Sequence, residues 1–177
     1  LRPPRQGDGA AVHAAIMDGY AETRKWLAWS EVPPTLEQIE RDCRAQQAAW
    51  VMRTDMRWLC LDKKTGEVLG RFAFPAHQCI WQVPCVAISY FVRKSARKKG
   101  VATEVVNALT RYAFEYLMAR RVIIYTDALN TASIRIPQKL GFIEESRNKG
   151  LWPSAAADGA LAELIIHGCF DPESLPP

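Results

Sequence analysis

The chain has 177 residues, of which 49% are hydrophobic, 10% aromatic and 24% charged, and its net charge is +4. So apolar a composition can offset its ordering entropy, which excludes a disordered chain; at this length one domain spanning 1–177 is expected, burying roughly 70% of its unfolded surface. No run approaches the ~18 apolar residues of a membrane span, and the mild positive charge suits an anionic cofactor or acidic partner without calling for nucleic acid.

The chain opens Leu1-Arg2-Pro3-Pro4, with no initiating methionine and none of the pattern of a secretory leader, as expected of a chain trimmed at its start. Asp8 stands as N-cap before the alanine-rich run Ala10–Met17, with Gly19 as its stop. A tryptophan-rich stretch, Trp26-Leu27-Ala28-Trp29, leads to Pro33-Pro34. Thr35 with Gln38 then forms a capping box, and Leu36, Ile39, Cys43 and Trp50 recur at helical spacing, predicting a helix over 36–52. Trp58–Leu61 and Val68–Phe74, separated by the turn cluster Asp62–Gly66, predict an antiparallel hairpin. A third strand is expected over 85–92 and a long amphipathic helix over 101–118. Val122–Tyr125 reads as a strand covered on both faces, and 131–140 as a short helix stopped by Gly141. Strands over 142–147 and 161–170, joined by the small-residue loop 154–159, complete a mixed α/β fold: a mixed, mostly antiparallel sheet with helices on both faces. Five cysteines, without a C-x-x-C spacing, read as thiols of a reducing compartment, with the cytoplasm as the expected address and no metal site.

The segment that carries chemistry is 91–104. There a strand runs into the basic loop Arg93–Gly100, and a helix begins at Val101. Unpaired N–H groups and the partial positive charge of a helix N-terminus suit a phosphate. Gly100 lets the backbone approach it, Ala102 leaves the first turn unobstructed, and Arg97, Lys98 and Lys99 add charge. Neither G-x-x-x-x-G-K-[ST] nor G-x-G-x-x-G occurs. Arg97-Lys98-Lys99-Gly100-Val101-Ala102 instead resembles the [RQ]-x-x-G-x-[GA] loop of the GCN5-related N-acetyltransferase (GNAT) superfamily. Ile88–Val92 looks like that superfamily's fourth strand. Asn130-Thr131-Ala132-Ser133 with Lys139-Leu140-Gly141-Phe142 is similar to the N-x-x-S…K-L-G-F block of its ribosomal-protein alanine and serine N-terminal acetyltransferases. Trp26 and Trp29 are similar to that subfamily's substrate-side loop.

The resemblance implies the GNAT acyl-CoA N-acyltransferase fold and acetyl-CoA as co-substrate, with a protein N-terminus as acceptor. On that reading the backbone from Lys98 through Val101, Ala102 and Thr103 holds the pyrophosphate, aided by Arg97. The strand edge at Tyr90, Phe91 and Val92 pairs with the pantetheine amides in the manner of an added strand. Asn130 orients the pantetheine arm, Lys139 or Arg135 reaches the adenosine phosphate, and Ser133 sits by the thioester sulfur. The departing thiol, with pKa about 8.5 when free, benefits from a hydroxyl donor. Many superfamily members supply a tyrosine four residues before the glycine of G-F; here Pro137 stands there, and Ser133 replaces it. A backbone N–H near Phe91 or Val92 polarises the carbonyl. His77, His167, Tyr90 and Glu163 are candidate bases. Neutralising an α-amine at pH 7 costs about 1.4 kcal/mol against about 4.6 for a lysine, so a poor base favours an N-terminal acceptor.

Several residues carry a second reading. Asn130 also suits a plain N-cap, Ser133 a helix-terminal hydroxyl, Glu104 a partner for the helix dipole, and Trp26 and Trp29 core packing. Tyr90 lines the acceptor channel only if its side chain faces that way. Two rival functions keep most of these features: transfer to a small amine such as an aminoglycoside, polyamine or amino acid, and a non-catalytic module holding CoA or nucleic acid. A homodimer is compatible with either.

Overall fold

A computed structural model of the chain describes residues 1–27, 32–153 and 161–177. Helices α1 (Gly9–Met17), α2 (Tyr20–Thr23) and α3 (Leu36–Val51) precede the hairpin β1 (Met56–Leu61) and β2 (Val68–Phe74). Then come β3 (Cys85–Ala87), β4 (Ser89–Val92), α4 (Val101–Leu117), β5 (Arg121–Asp127), α5 (Thr131–Lys139), β6 (Ile143–Pro153) and β7 (Leu161–Cys169). Expected loop 154–159 lies outside the described residues, and β6 runs six residues beyond its expected end at Arg147, pairing with β7.

Local chemistry accounts for the element ends. The Thr35 hydroxyl accepts from the Gln38 N–H at 3.2 Å while the Gln38 side chain accepts from the Thr35 N–H at 2.7 Å, closing the capping box at α3. In the hairpin turn Asp62 Oδ1 accepts from the N–H groups of Lys64 and Thr65 at 2.8 and 2.9 Å. Asp8 departs from expectation. It has αR dihedrals and makes no side-chain cap bond, because its carboxylate takes the Arg2 guanidinium at 2.6 and 2.7 Å and the Arg5 N–H at 2.9 Å. Glu40 of α3 reaches across instead and accepts from the Gly9 N–H at 2.8 Å.

The run expected as a single strand over 85–92 is two strands in different sheets. β3 pairs in parallel with β5, up to Ala87 opposite Ile123, and the Ile88 N–H donates to the Ile123 carbonyl at 2.9 Å. From Ser89 the chain turns away and pairs antiparallel with β2. The strands therefore form two sheets, ordered β1-β2-β4 and β3-β5-β7-β6. Both halves of the run are mostly apolar, β3 fully buried and β4 half-buried around the buried Phe91, so the residue pattern holds no mark of the break.

Helices cover both faces. Val12, Ile16, Ile39 and Cys43 of α1 and α3 pack on Leu59, Val68 and Phe91. On the other face Val105, Val106 and Leu109 of α4 join Trp58, Phe72, Phe74, Val86, Val122 and Ile124. Among the described residues no helix is long and apolar enough to cross a membrane. Four of the cysteines are buried and Cys79 is half-buried, all as free thiols.

Phe74 is fully buried, edge-on to Trp58 at 4.8 Å and stacked near Tyr112 at 6.4 Å between ring centroids. Phe74→Ala should lower the unfolding free energy by about 3–5 kcal/mol in a denaturant titration.

Candidate active site

The outer edge of β4 is the site's first component. The Arg93 N–H donates to the Leu69 carbonyl at 2.9 Å, which sets the phase of the β2–β4 ladder. With Gly70 opposite Val92 and Phe72 opposite Tyr90, the backbone groups of Tyr90 and Val92 point away from β2. Because β4 has parted from β5, they face the opening between the two sheets. The Val92 carbonyl accepts from Arg97 Nε at 3.1 Å.

The basic loop divides its charges. Arg93 binds Asp18 at 2.9 Å and also Glu67, and Lys94 binds Glu22 at 2.6 Å. Arg97 also donates to the Thr23 hydroxyl, so its guanidinium stitches the loop to α2 as well as to β4. Lys98, Lys99 and Gly100 are exposed in front of α4. Lys98 and Gly100 both adopt positive φ, +62° and +82°. The first intrahelical bond of α4 runs from the Glu104 N–H to the Gly100 carbonyl, so the N–H groups of Val101, Ala102 and Thr103 have no helical partner. A Cβ on Gly100 would meet nothing within 4 Å, leaving this helix mouth open to an anion. Glu104 is exposed in the first turn, suited to the dipole.

The structure brings Tyr90 and Ser133 together. The Tyr90 hydroxyl lies 2.9 Å from Ser133 Oγ and makes a longer contact, 3.4 Å, to the Ser133 carbonyl. Asn130 caps α5, its Oδ1 accepting from the Ser133 N–H at 3.2 Å. Pro137 explains why that carbonyl is available: an N–H at 137 would bond to it within the helix, and proline has none. Tyr90 stacks on Phe72 at 5.9 Å on the α4–α5 side of the sheet. Burial pushes its phenol up to about 12, with the bond to Ser133 acting in the opposite sense, so it remains protonated at neutral pH. The Tyr90–Ser133 contact escaped the sequence reading, because neither strand parity nor the rotation of α5 can be read from residue order.

A cleft of about 90 Å³ lies on the opposite face of β4, lined by Leu27, Arg57, Arg71, Phe72, Ala73, Ser89, Tyr90 and Phe91. Burial and then the neighbouring Arg57 charge lower the pKa of Arg71, which as a guanidinium still keeps its proton. Neither arginine was expected here. Trp26 is half-buried in the turn after α2, next to the cleft residue Leu27, and Trp29 lies outside the described residues.

The candidate bases fare unevenly. His167 is 1% exposed, its ring nitrogens have no hydrogen-bond partner among the described residues, and burial lowers its pKa. It is a neutral core side chain without a route to an acceptor. Glu163 pairs with Arg147 at 3.5 Å and Lys149 at 3.8 Å, and His77 is exposed in a short turn after β2. Arg135 and Lys139 lie exposed on α5. Among the described residues no cluster of three or more His, Cys, Asp or Glu side chains could hold a metal ion.

Residues 1–143 match the family described as acetyltransferase (GNAT) domain. Among curated proteins, the chain is 37% identical over 87 residues to YdaF of Bacillus subtilis (strain 168), a candidate ribosomal N-acetyltransferase, covering 49% of this chain and 45% of that one. It is 27% identical over 120 residues to the uncharacterized YkkB of the same organism, covering 68% and 60%. The matches thus span about half of these relatives' length. The fold is similar to that of the ribosomal-protein-S5-alanine acetyltransferase from Vibrio fischeri (TM-score 0.84, 16% identity, 99% of this chain and 94% of that one). It is also similar to RimL, a ribosomal L7/L12 α-N-protein acetyltransferase solved with coenzyme A (TM-score 0.81, 17% identity, 96% and 92%).

The loop before α4 is held by Asp18, whose Oδ2 accepts from the Ser95 hydroxyl at 2.6 Å, the Ser95 N–H at 3.0 Å and Arg93 at 2.9 Å. The Ser95 bonds, followed by Arg93, hold this carboxyl well below the usual range. Because the folded pKa is depressed, the stability contributed is fully present above the unfolded value of about 4 and is lost as pH falls further. Asp18→Asn should therefore lower Tm at pH 7, and its gap to the parent should close as melts are run below about pH 4.

Proposed function

The chain belongs to the acetyltransferase (GNAT) domain family, and we propose that it moves the acetyl group of acetyl-CoA to the α-amine of a protein N-terminus, acting in the cytoplasm. The observation that carries this reading is the convergence on one opening of three features: the exposed edge of β4, the unpaired amides of α4 and the Tyr90–Ser133 hydroxyl pair. The names of YdaF and of the structural neighbours RimL and the S5-alanine enzyme support a ribosomal protein as acceptor.

Acetyl-CoA supplies the acyl group already activated as a thioester. The N–H groups of Val101, Ala102 and Thr103, with Lys98 and Lys99 in front of them, suit its diphosphate. The outward N–H and carbonyl of Tyr90 and the N–H of Val92 suit the amides of the pantetheine arm or the thioester oxygen, and Asn130 stands at the mouth of α5 alongside. Ser133 Oγ is the proton donor for the departing sulfur. The protonated Tyr90 hydroxyl can donate to Ser133 Oγ while Ser133 gives its own hydrogen to the sulfur, which orients the serine hydroxyl and offsets the charge it acquires. The proton that the nitrogen sheds as the amide forms restores the serine hydroxyl. No covalent enzyme intermediate is required, since amine and thioester meet directly. The absence of a well-placed carboxylate among the candidate bases favours an acceptor that loses its proton easily, an α-amine over a lysine.

Ser133→Ala should lower kcat by about 100-fold in a thiol-release assay with N-terminal peptides, with acetyl-CoA affinity little changed. Tyr90→Phe should cost less, and unchanged turnover in Ser133→Ala would remove the serine from this role. Gly100→Val, which places a β-branched side chain at φ +82° in the helix mouth, should abolish CoA binding measured by calorimetry.

A further inference from the structure

Arg71 stands in the middle of β2, opposite Leu59 of β1 and Phe91 of β4, on the face that α1 and α3 cover. Its neighbours in both directions are apolar core residues, yet this position carries a guanidinium. No hydrogen bond or ion pair joins that guanidinium to any described residue. The charged groups that act on it are Arg57, Asp42 and Asp55. Asp55 is engaged by Arg57 at 2.8 Å, and Asp42 is exposed on α3. The cleft itself is lined by two guanidiniums and by neither of these carboxylates. Asp55 gives its Oδ2 to Arg57 while its Oδ1 is buried without a hydrogen-bond partner among the described residues, and neither Asp55 nor Asp42 bonds to Arg71. Arg71 is half-buried, so its guanidinium is partly desolvated by the apolar face around it while its nitrogens stay open to the cleft. With no hydrogen-bond partner there it favours an arriving anion, and an apolar residue would have packed this face without that penalty.

We propose that Arg71, with Arg57 beside it, is a recognition site for a carboxylate on the acceptor, so that the preferred substrates are peptide N-termini with Asp or Glu at the second or third position. This rests on the acetyl-transfer reading and names its substrate class. The spacing fits. The cleft touches Ser89, Tyr90 and Phe91, the strand whose far edge faces the opening proposed for the thioester. From that edge to β2 is one to two strand spacings, roughly 5–10 Å, which an extended peptide covers in two or three residues. Guanidinium and carboxylate match in planarity and can form two parallel hydrogen bonds, which gives position as well as attraction. Leu27 lies on the cleft rim, with the half-buried Trp26 beside it in the chain.

The test compares three peptides, Ser-Asp, Ser-Asn and Ser-Lys at positions one and two with a common remainder, on the parent and on Arg71→Gln, Arg71→Leu and Arg71→Glu. Arg71→Leu suits the surrounding apolar cluster and guards against a variant that fails to fold, and CoA binding by calorimetry checks each fold. The parent should show kcat/KM about tenfold or more higher for Ser-Asp than for Ser-Asn, carried mainly by KM. The ratio should fall to near one in Arg71→Gln and Arg71→Leu, and Arg71→Glu should turn the preference toward Ser-Lys. A ratio near one in the parent, or a ratio the variants leave in place, overturns the proposal. So does a preference for a small anionic amine such as aminoethyl phosphate over every peptide. Calorimetry of peptide binding to CoA-saturated protein reads the inference apart from turnover. Acid-selective binding without acetylation would uphold the arginine site and sink the transfer reading, whereas acetylation without acid selectivity would do the reverse.

Discussion

One hydrogen bond governs the architecture. At Ile88 the N–H donates to the Ile123 carbonyl, and this is the last backbone bond between the run 85–92 and β5. One residue later the chain pairs with β2 instead. A single continuous strand there would saturate every backbone group and leave a closed sheet with nothing to offer a ligand. By parting, β4 keeps one edge unpaired in the interior of the molecule, where an exposed edge would otherwise invite association. The cost is limited because the cores on either side remain intact: Val86 and Ile88 pack with α4, while Phe91 packs with α1 and α3.

A second consequence follows at α5. Proline in a helix interior removes one backbone donor, and at 137 that donor belongs to the bond with the Ser133 carbonyl. The helix is short and is secured at its other end by the Asn130 cap, so it tolerates the loss. The carbonyl left over meets the Tyr90 hydroxyl, whose stronger contact is to the serine's own Oγ. Phe72 fixes the ring from β2 by stacking. The serine hydroxyl is therefore positioned by both sheet and helix, and its orientation depends on a tyrosine from the strand that breaks away from β5.

The legible parts of this fold are those written in local chemistry. The capping box at Thr35, the Asp62 turn, the glycine after α5 and the 3.6-residue period of α4 all express interactions within a few residues, and each element lies where its signal places it. The break at Ile88 is not local. It is decided by whether β2 or β5 is the better partner, and Cys85–Val92 is apolar enough to serve both. Asp8 misled for a similar reason, since Arg2 and Glu40 compete for the groups at the start of α1 and only the folded chain brings them there. In the candidate site, the loop before α4 was marked by its basic, glycine-containing run between strand and helix, and Asn130 and Ser133 were marked by their resemblance to a family block. Arg71 was not, because a lone charge in a hairpin strand reads as a solvent-facing position until the covering helices are in place.

The basic run shows how far composition can stand in for electrostatics. Five cations precede α4, but they do not act as one patch. Arg93 and Lys94 are neutralised by Asp18, Glu22 and Glu67, and their work is to fasten the loop to α1, α2 and the hairpin. Arg97 bridges β4 and α2 through a carbonyl and a hydroxyl, partners that leave its charge in place while fixing its direction. Only Lys98 and Lys99 project without a bonded partner among the described residues, on backbone that rises through two positive-φ positions into the helix mouth. A solvated polybasic surface would leave all five mobile and attract any polyanion. A loop with three cations anchored and two exposed before unpaired amides favours a compact anion held at one place, and that selectivity comes from the ion pairs behind it rather than from net charge.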